Sequence, residues 1–270
     1  MRNRFTLAMI AFVAGVVVSL GVNPAAGQAS YKAPRAADGH ADLSGIWQAV
    51  GTAHWDLEPH TARPSPVVAL GAVGAVPAGT GVIEGGNIPY QPWALAKKKE
   101  NAANSLTLDP EVKCFLPGVP RATYMPFPFQ IVQTPKFILI GYEFASASRL
   151  IYMDNHDEAP VDSWMGWSQG RWEGDTLVVD VTGFNDKTWF DRAGNFHSEA
   201  LHVVERYSRI GPDHIMYEAT IEDPKVFTRP WKIGLPLYRR LEKNLQLLEF
   251  KCVALVEELI YGPLRKQPSK

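Results

Sequence analysis

Between Asn185 and Arg206 the chain concentrates Asp186, Asp191, Arg192, His197, Glu199, His202 and Glu205. Carboxylates beside imidazole and guanidinium groups are the materials of general acid–base chemistry. If Leu201, Val203, Glu205 and Tyr207 share one strand face, Glu205 points inward, Glu199 with it, while His202 and Arg206 point outward. A carboxylate in an apolar interior must be paired, hydrogen-bonded or raised in pKa. Glu205 or Asp191 is the expected proton-transfer group, His197 its partner, and Arg171 or Arg206 the stabiliser of developing negative charge. Alternatively, Glu205 is a structural acceptor for an interior Arg or Tyr.

Gly166-Trp167-Ser168-Gln169-Gly170 fits the G-x-S-x-G pattern of a nucleophile elbow, with Asp and His residues downstream. That device needs a strand turning sharply into a helix. Here Arg171 to Asp175 reads as a turn leading to another strand, so a serine hydrolase is the alternative rather than the main reading. His156, His197 and His202 lack the HxH or HExxH spacing of metal ligands, and no phosphate loop follows the glycines of residues 71–86. No metal or cofactor is expected. Trp164, Trp167, Trp172, Trp189, Tyr207 and Trp231 are candidates to line a pocket for an apolar or cyclic molecule.

Such residues need a scaffold, and the C-terminal half reads as β. Phe129 to Gln133 and Phe137 to Tyr142 flank Thr134-Pro135-Lys136 as a hairpin, and Arg149 to Met153 follows as a strand. Leu177, Val179 and Val181 share one face opposite Thr176, Val178 and Asp180. Ile215, Tyr217, Ala219 and Ile221 alternate in the same way. One wet face and one dry face is the mark of an antiparallel sheet, and some eight strands hide their edges best by closing into a barrel. A β-sandwich is the competing architecture. Residues 61–110 read as an insertion of loops and a short helix, Pro92 to Asn104.

The 270 residues carry 27 Lys plus Arg against 28 Asp plus Glu, a net charge of −1. A near-neutral surface disfavours a general nucleic-acid binder. Arg2 and Arg4 precede the uncharged run Phe5 to Val22, then Ala25, Ala26 and Gly27. That order reads as a signal peptide over residues 1–27, with a single membrane anchor as the alternative. The product, 28–270, is expected as one domain, periplasmic or secreted, with no membrane attachment after leader removal. Cys114 and Cys252 suit a disulfide in that compartment, or two buried thiols.

Gly45-Ile46-Trp47 resembles the first-strand signature of lipocalin-like (calycin) barrels. A longer likeness runs from Lys113 to Trp231: Cys114 to Arg121, Gln130 to Pro135, Gly170-Arg171-Trp172-Glu173-Gly174-Asp175-Thr176-Leu177-Val178-Val179-Asp180, Gly183 to Trp189, His197 to Arg206, and Thr228-Arg229-Pro230-Trp231. In these motifs the chain resembles a large family of uncharacterised exported bacterial proteins. It departs from them at Trp167, where His is expected, and after Cys252, where an acidic, Asn-containing tail is missing. The resemblance implies export and a β-rich body. The expectation is an exported pocket protein for a small apolar or cyclic molecule. It would be an acid–base enzyme (lyase, isomerase, cyclase or hydrolase), a non-catalytic lipocalin-like binder, or a structural envelope protein.

Overall fold

A computed structural model describes residues 31–64, 67, 70–72, 75–154 and 158–264. The expected leader and His156 lie outside the described residues. Among the described residues nine strands form one closed barrel in chain order: β1 (Gly45–Ala49), β2 (Phe129–Gln133), β3 (Phe137–Tyr142), β4 (Ser148–Tyr152), β5 (Trp167–Glu173), β6 (Thr176–Thr182), β7 (His202–Gly211), β8 (His214–Glu222) and β9 (Trp231–Arg239). Every neighbouring pair is antiparallel except β4 with β5, and β1 closes the ring against β9. Closure leaves no edge strand open, as the lipocalin-like reading requires.

The expected alternation holds. Leu177, Val179 and Val181 of β6, Val203, Glu205 and Tyr207 of β7, and Ile215, Tyr217, Ala219 and Ile221 of β8 are all buried. Together with Phe129, Ile131, Ile138, Ile140 and Ile151 their apolar members form one continuous core. Each such aliphatic side chain contributes about 1.5–3 kcal/mol by leaving water. Val178 departs from the pattern, being buried on the outer face. Its cross-strand neighbours are Arg171 and Arg206, whose long stems cover it.

Two strands depart from the expected layout. β5 takes in Arg171 to Glu173, which read as part of a turn, and the turn itself is confined to Gly174 and Asp175. Its inward positions are Ser168, Gly170 and Trp172, two of them small, so no apolar alternation shows. β9 contains Gly234 and Pro236, which read as breakers. The Gly234 N–H donates to the Val82 carbonyl (2.9 Å), so the Pro236 nitrogen, two residues on, faces the same side. That side is open between the 82–84 segment and β1, which pairs only with residues 237–239. The missing donor therefore costs no ladder bond.

Trp47 is fully buried, donates its indole N–H to the Leu43 carbonyl (2.9 Å), and lies beneath Arg239 and Arg209. Gly45 has φ +140°, and a Cβ there would meet Arg239 Nη2 at 2.9 Å. Glycine lets the guanidinium close over the tryptophan.

Outside the barrel, helix α1 (Pro92–Ala103) forms as expected and α2 (Ser105–Leu108) follows it. A short α3 (Arg121–Tyr124) is entirely buried, and α4 (Val256–Tyr261) buries nothing. Cys114 and Cys252 form a disulfide that ties the C-terminal segment to the body. Among the described residues no helix is long and apolar enough to cross a membrane.

Candidate functional site

Glu205 does point into the barrel, and there it is fully engaged. Arg149 of β4, itself buried, grips both carboxylate oxygens, while Tyr207 and Tyr217 donate their hydroxyls to Oε1 at 3.0 and 2.8 Å. The Arg149 Nε donates to Ser168 Oγ at 2.9 Å. Burial works to lower the Arg149 pKa, but Glu205 outweighs it and holds the guanidinium charged. Ser168 thus sits inside strand β5, bound to an arginine, where no strand-to-helix elbow exists.

The other expected partners do not converge on Glu205. His197 is buried against Phe184 and Phe190. Its Nδ1 donates to the Ser198 carbonyl (2.8 Å) and its Nε2 accepts from Thr188 Oγ1 (2.6 Å). Burial lowers its pKa, so the ring stays neutral. Arg171 and Arg206 lie on the outer face and share Glu173. Glu199, expected inward, is exposed and paired with Lys225; it precedes the strand, so the alternation of β7 does not reach it. His202 faces outward between Asp180 and Glu222.

The aromatic candidates are scattered. Trp164 tilts against Phe115, Trp167 stacks on Tyr152 and Trp172 stacks on His40. Trp189 and Trp231 are buried, the latter edge-on to Phe190 and Phe227, and Tyr207 belongs to the Glu205 network.

Asp191 leads to a different place. Its carboxylate accepts N–H groups from Leu57 (2.9 Å), Ala193 (2.9 Å) and Asn195 (3.3 Å), and the Asn195 amide at 2.6 Å. Burial and the nearby Asp56 push its pKa up to about 7, against the pull of those donors. Together with the Arg192 N–H to His54 carbonyl bond (3.1 Å), this clamp fixes residues 54–57 against residues 191–195. Gly194, at φ +84°, brings that loop so close to α1 that a Cβ would lie 2.6 Å from the Ala102 nitrogen.

The clamp borders a cavity of about 710 Å3 on the flank of the barrel. Its walls come from residues 55–56, 63–64, 67, 70 and 76, with α1, α2, the 109–112 turn, Arg192 and α4. Val67, Leu70, Val76, Leu106 and Val112 make it apolar, and Asp56, Arg63, Lys98 and Glu257 supply charge. His60 pairs with Gly79 and Arg63 with Val76, joining residues 60–63 to residues 76–79.

Beneath the cavity lies a buried ionic network. Arg121 donates to both oxygens of Asp109 (2.8 and 2.9 Å) and to Glu111 (2.7 Å). Arg192 donates twice to Glu111 (2.9 and 3.0 Å), once to Glu257 (3.0 Å), and packs over Trp55 at 4.9 Å. His54 Nε2 lies 3.4 Å from Glu111, yet burial first, and then the two arginines, lower its pKa from 6.5 to about 3. Burial would raise Glu111, but its neighbours hold it at about 2. With His54 neutral at pH 7, the two guanidiniums carry that effect. Among the described residues no group of three His, Cys, Asp or Glu could hold a metal ion.

Sequence reasoning singled out Asp191 and Arg192 but missed Asp56, Arg63, Asp109, Glu111 and Arg121. The available signal for Arg63 and Asp109 was a lone charge in a mostly apolar insertion, and nothing local marked Asp56, Glu111 or Arg121. No family model, curated protein or solved structure matches the chain, so the cavity and its charges stand on their own geometry.

Proposed function

We propose that this chain is an exported small-molecule pocket protein, and that its ligand occupies the flank cavity rather than the barrel interior. The observation that carries this reading is a cavity of about 710 Å3 with apolar walls and a few charged groups. Ligand sites commonly measure about 300–1,000 Å3 with that same balance. The barrel interior, by contrast, is a packed core around the Arg149–Glu205 pair. The leader-like N-terminus and the Cys114–Cys252 disulfide support delivery to an oxidising compartment, the periplasm or the cell exterior. The ligand is a small, largely apolar or cyclic molecule bearing a polar group.

The fluorescent probe 1-anilinonaphthalene-8-sulfonate, an aromatic body with one anionic group, tests the reading. It should bind saturably at one site, and Leu106→Trp, which fills the cavity from α2, should abolish binding with the melting temperature kept. Saturable binding that survives Leu106→Trp would place the ligand elsewhere.

A further inference from the structure

Among the described residues three carboxylates border the cavity, and an arginine hydrogen-bonds two of them. Asp109 takes a bidentate grip from Arg121, and Glu257 takes a hydrogen bond from Arg192. Asp56 differs. It is 6% exposed, lines the cavity, and among the described residues is hydrogen-bonded only at Oδ1, which accepts the Glu58 N–H at 3.1 Å. Its Oδ2 has the Arg63 guanidinium 3.8 Å away, an ion pair too long for a hydrogen bond. Among the described residues that guanidinium donates no hydrogen bond. A base and a cation of spare capacity thus face the same apolar space, separated by a gap. Among the described residues no histidine or cysteine lines the cavity; of its other cations, Lys98 is paired with Glu58 and Arg192 with Glu111 and Glu257.

We propose that Asp56 and Arg63 form a proton-transfer site acting on an apolar, ring-shaped carbonyl compound, with Asp56 the catalytic base and Arg63 the holder of the carbonyl oxygen. The proposal rests on the pocket reading above and deepens it. Asp56 Oδ2 takes the proton from the carbon next to the carbonyl. The C–H electron pair becomes the carbon–carbon double bond of an enolate, and the carbonyl π pair moves onto oxygen, where an Arg63 N–H receives the charge. Return of a proton from Asp56 to the same carbon restores the substrate, and return to a conjugated carbon gives an isomer. No other reactant is consumed. Burial raises the Asp56 pKa, against Lys98, the Glu58 N–H, His60 and Arg63, which makes the carboxylate a stronger base than a surface aspartate.

The test uses 2-decalone, a rigid bicyclic ketone, with the full-length mature protein in D2O. Displacement of the anilinonaphthalene probe reports binding, and mass spectrometry reports deuterium entering beside the carbonyl. Wild-type protein should speed exchange over buffer, and Asp56→Asn should lower the rate about 100-fold or more while displacement persists, as loss of a general base does. Arg63→Gln, at a half-exposed position where folding is not at stake, should lower exchange about tenfold or more. Ketone binding without catalysed exchange would overturn the proton-transfer site and leave the pocket standing. Exchange untouched by either variant would overturn it equally. Failure of both probe and ketone to bind would remove the pocket and this proposal together.

Discussion

Arg149 decides whether Glu205 can exist inside the barrel. A carboxylate at that depth loses its hydration and is tolerated because one guanidinium and two phenols replace it. Arg149→Met strands the charge and should lower stability by about 3–5 kcal/mol, read from urea unfolding. The double variant Arg149→Met/Glu205→Gln should recover a large part of that loss, because the uncompensated charge is gone. An additive double variant would show that the pair is not coupled. Alternation along β7 was enough to send Glu205 inward. Nothing local marked Arg149 as its partner, because a lone Arg near the start of a strand reads as a solvent-facing residue.

At the scale of elements, the C-terminal segment is the weakest part of the architecture. Helix α4 buries no side chain, and Leu241, Leu248, Leu259 and Leu264 are exposed. It is held by the Cys114–Cys252 bond, the Arg192–Glu257 pair, a backbone bond from the Leu255 N–H to the Val112 carbonyl (2.6 Å), the Leu248 N–H to Glu143 (2.9 Å), and Phe250 against Phe127 and Phe144. A crosslink stabilises a whole fold only when both its ends stay native. Cys252→Ser should therefore release the tail without unfolding the barrel. Limited trypsin digestion should cut after Lys243 or Lys251 much faster in the variant. The barrel's melting temperature should fall by less than the 2–5 kcal/mol typical of a lost native disulfide implies. Equal cutting rates would mean that packing, not the disulfide, secures α4. The short helix at Pro92 and seven of the strands follow from local pattern. Strands β5 and β9 do not, since small residues and Pro236 hide their periodicity, and only neighbouring strands reveal why those residues are tolerated.

At the scale of the whole molecule, the buried network beneath the cavity sets the response to acid. His54 and Glu111 have folded pKa values below their ordinary ones, about 3 against 6.5 and about 2 against 4.5. The unfolded chain therefore binds their protons first. The stability tied to His54 is complete above about pH 6.5 and is lost as pH falls towards 3; that tied to Glu111 is lost between about 4.5 and 2. Asp191 has the opposite sign: raised from 3.8 to about 7, its contribution is complete in acid and is lost as pH rises through 7. Wild-type urea midpoints should thus change little from pH 7 to 4.5, where His54 and Asp191 oppose one another, and then drop. In His54→Phe the raised Asp191 and Asp56 are opposed by His197 and no longer by His54, so the midpoint should rise on acidification over that window. A falling midpoint in the variant would refute the assignment.

Composition, alternation and turn residues were sufficient for a β-rich body, an insertion with a short helix and the inward direction of Glu205, while the closure of the strands into a barrel rather than a sandwich came from the tertiary structure. These follow from contacts between near neighbours and from the two-residue period of a strand, which any reader of the chain can count. Which charges meet was decided by the tertiary structure alone. Asp56, Arg63, Asp109, Arg192 and Glu257 come from four stretches far apart in the chain, and no period links them. They share one cavity because the insertion, the 191–195 loop and the disulfide-tethered tail pack on the same flank of the barrel. Burial then rearranges their proton affinities, a property of the surrounding medium that no single residue type carries.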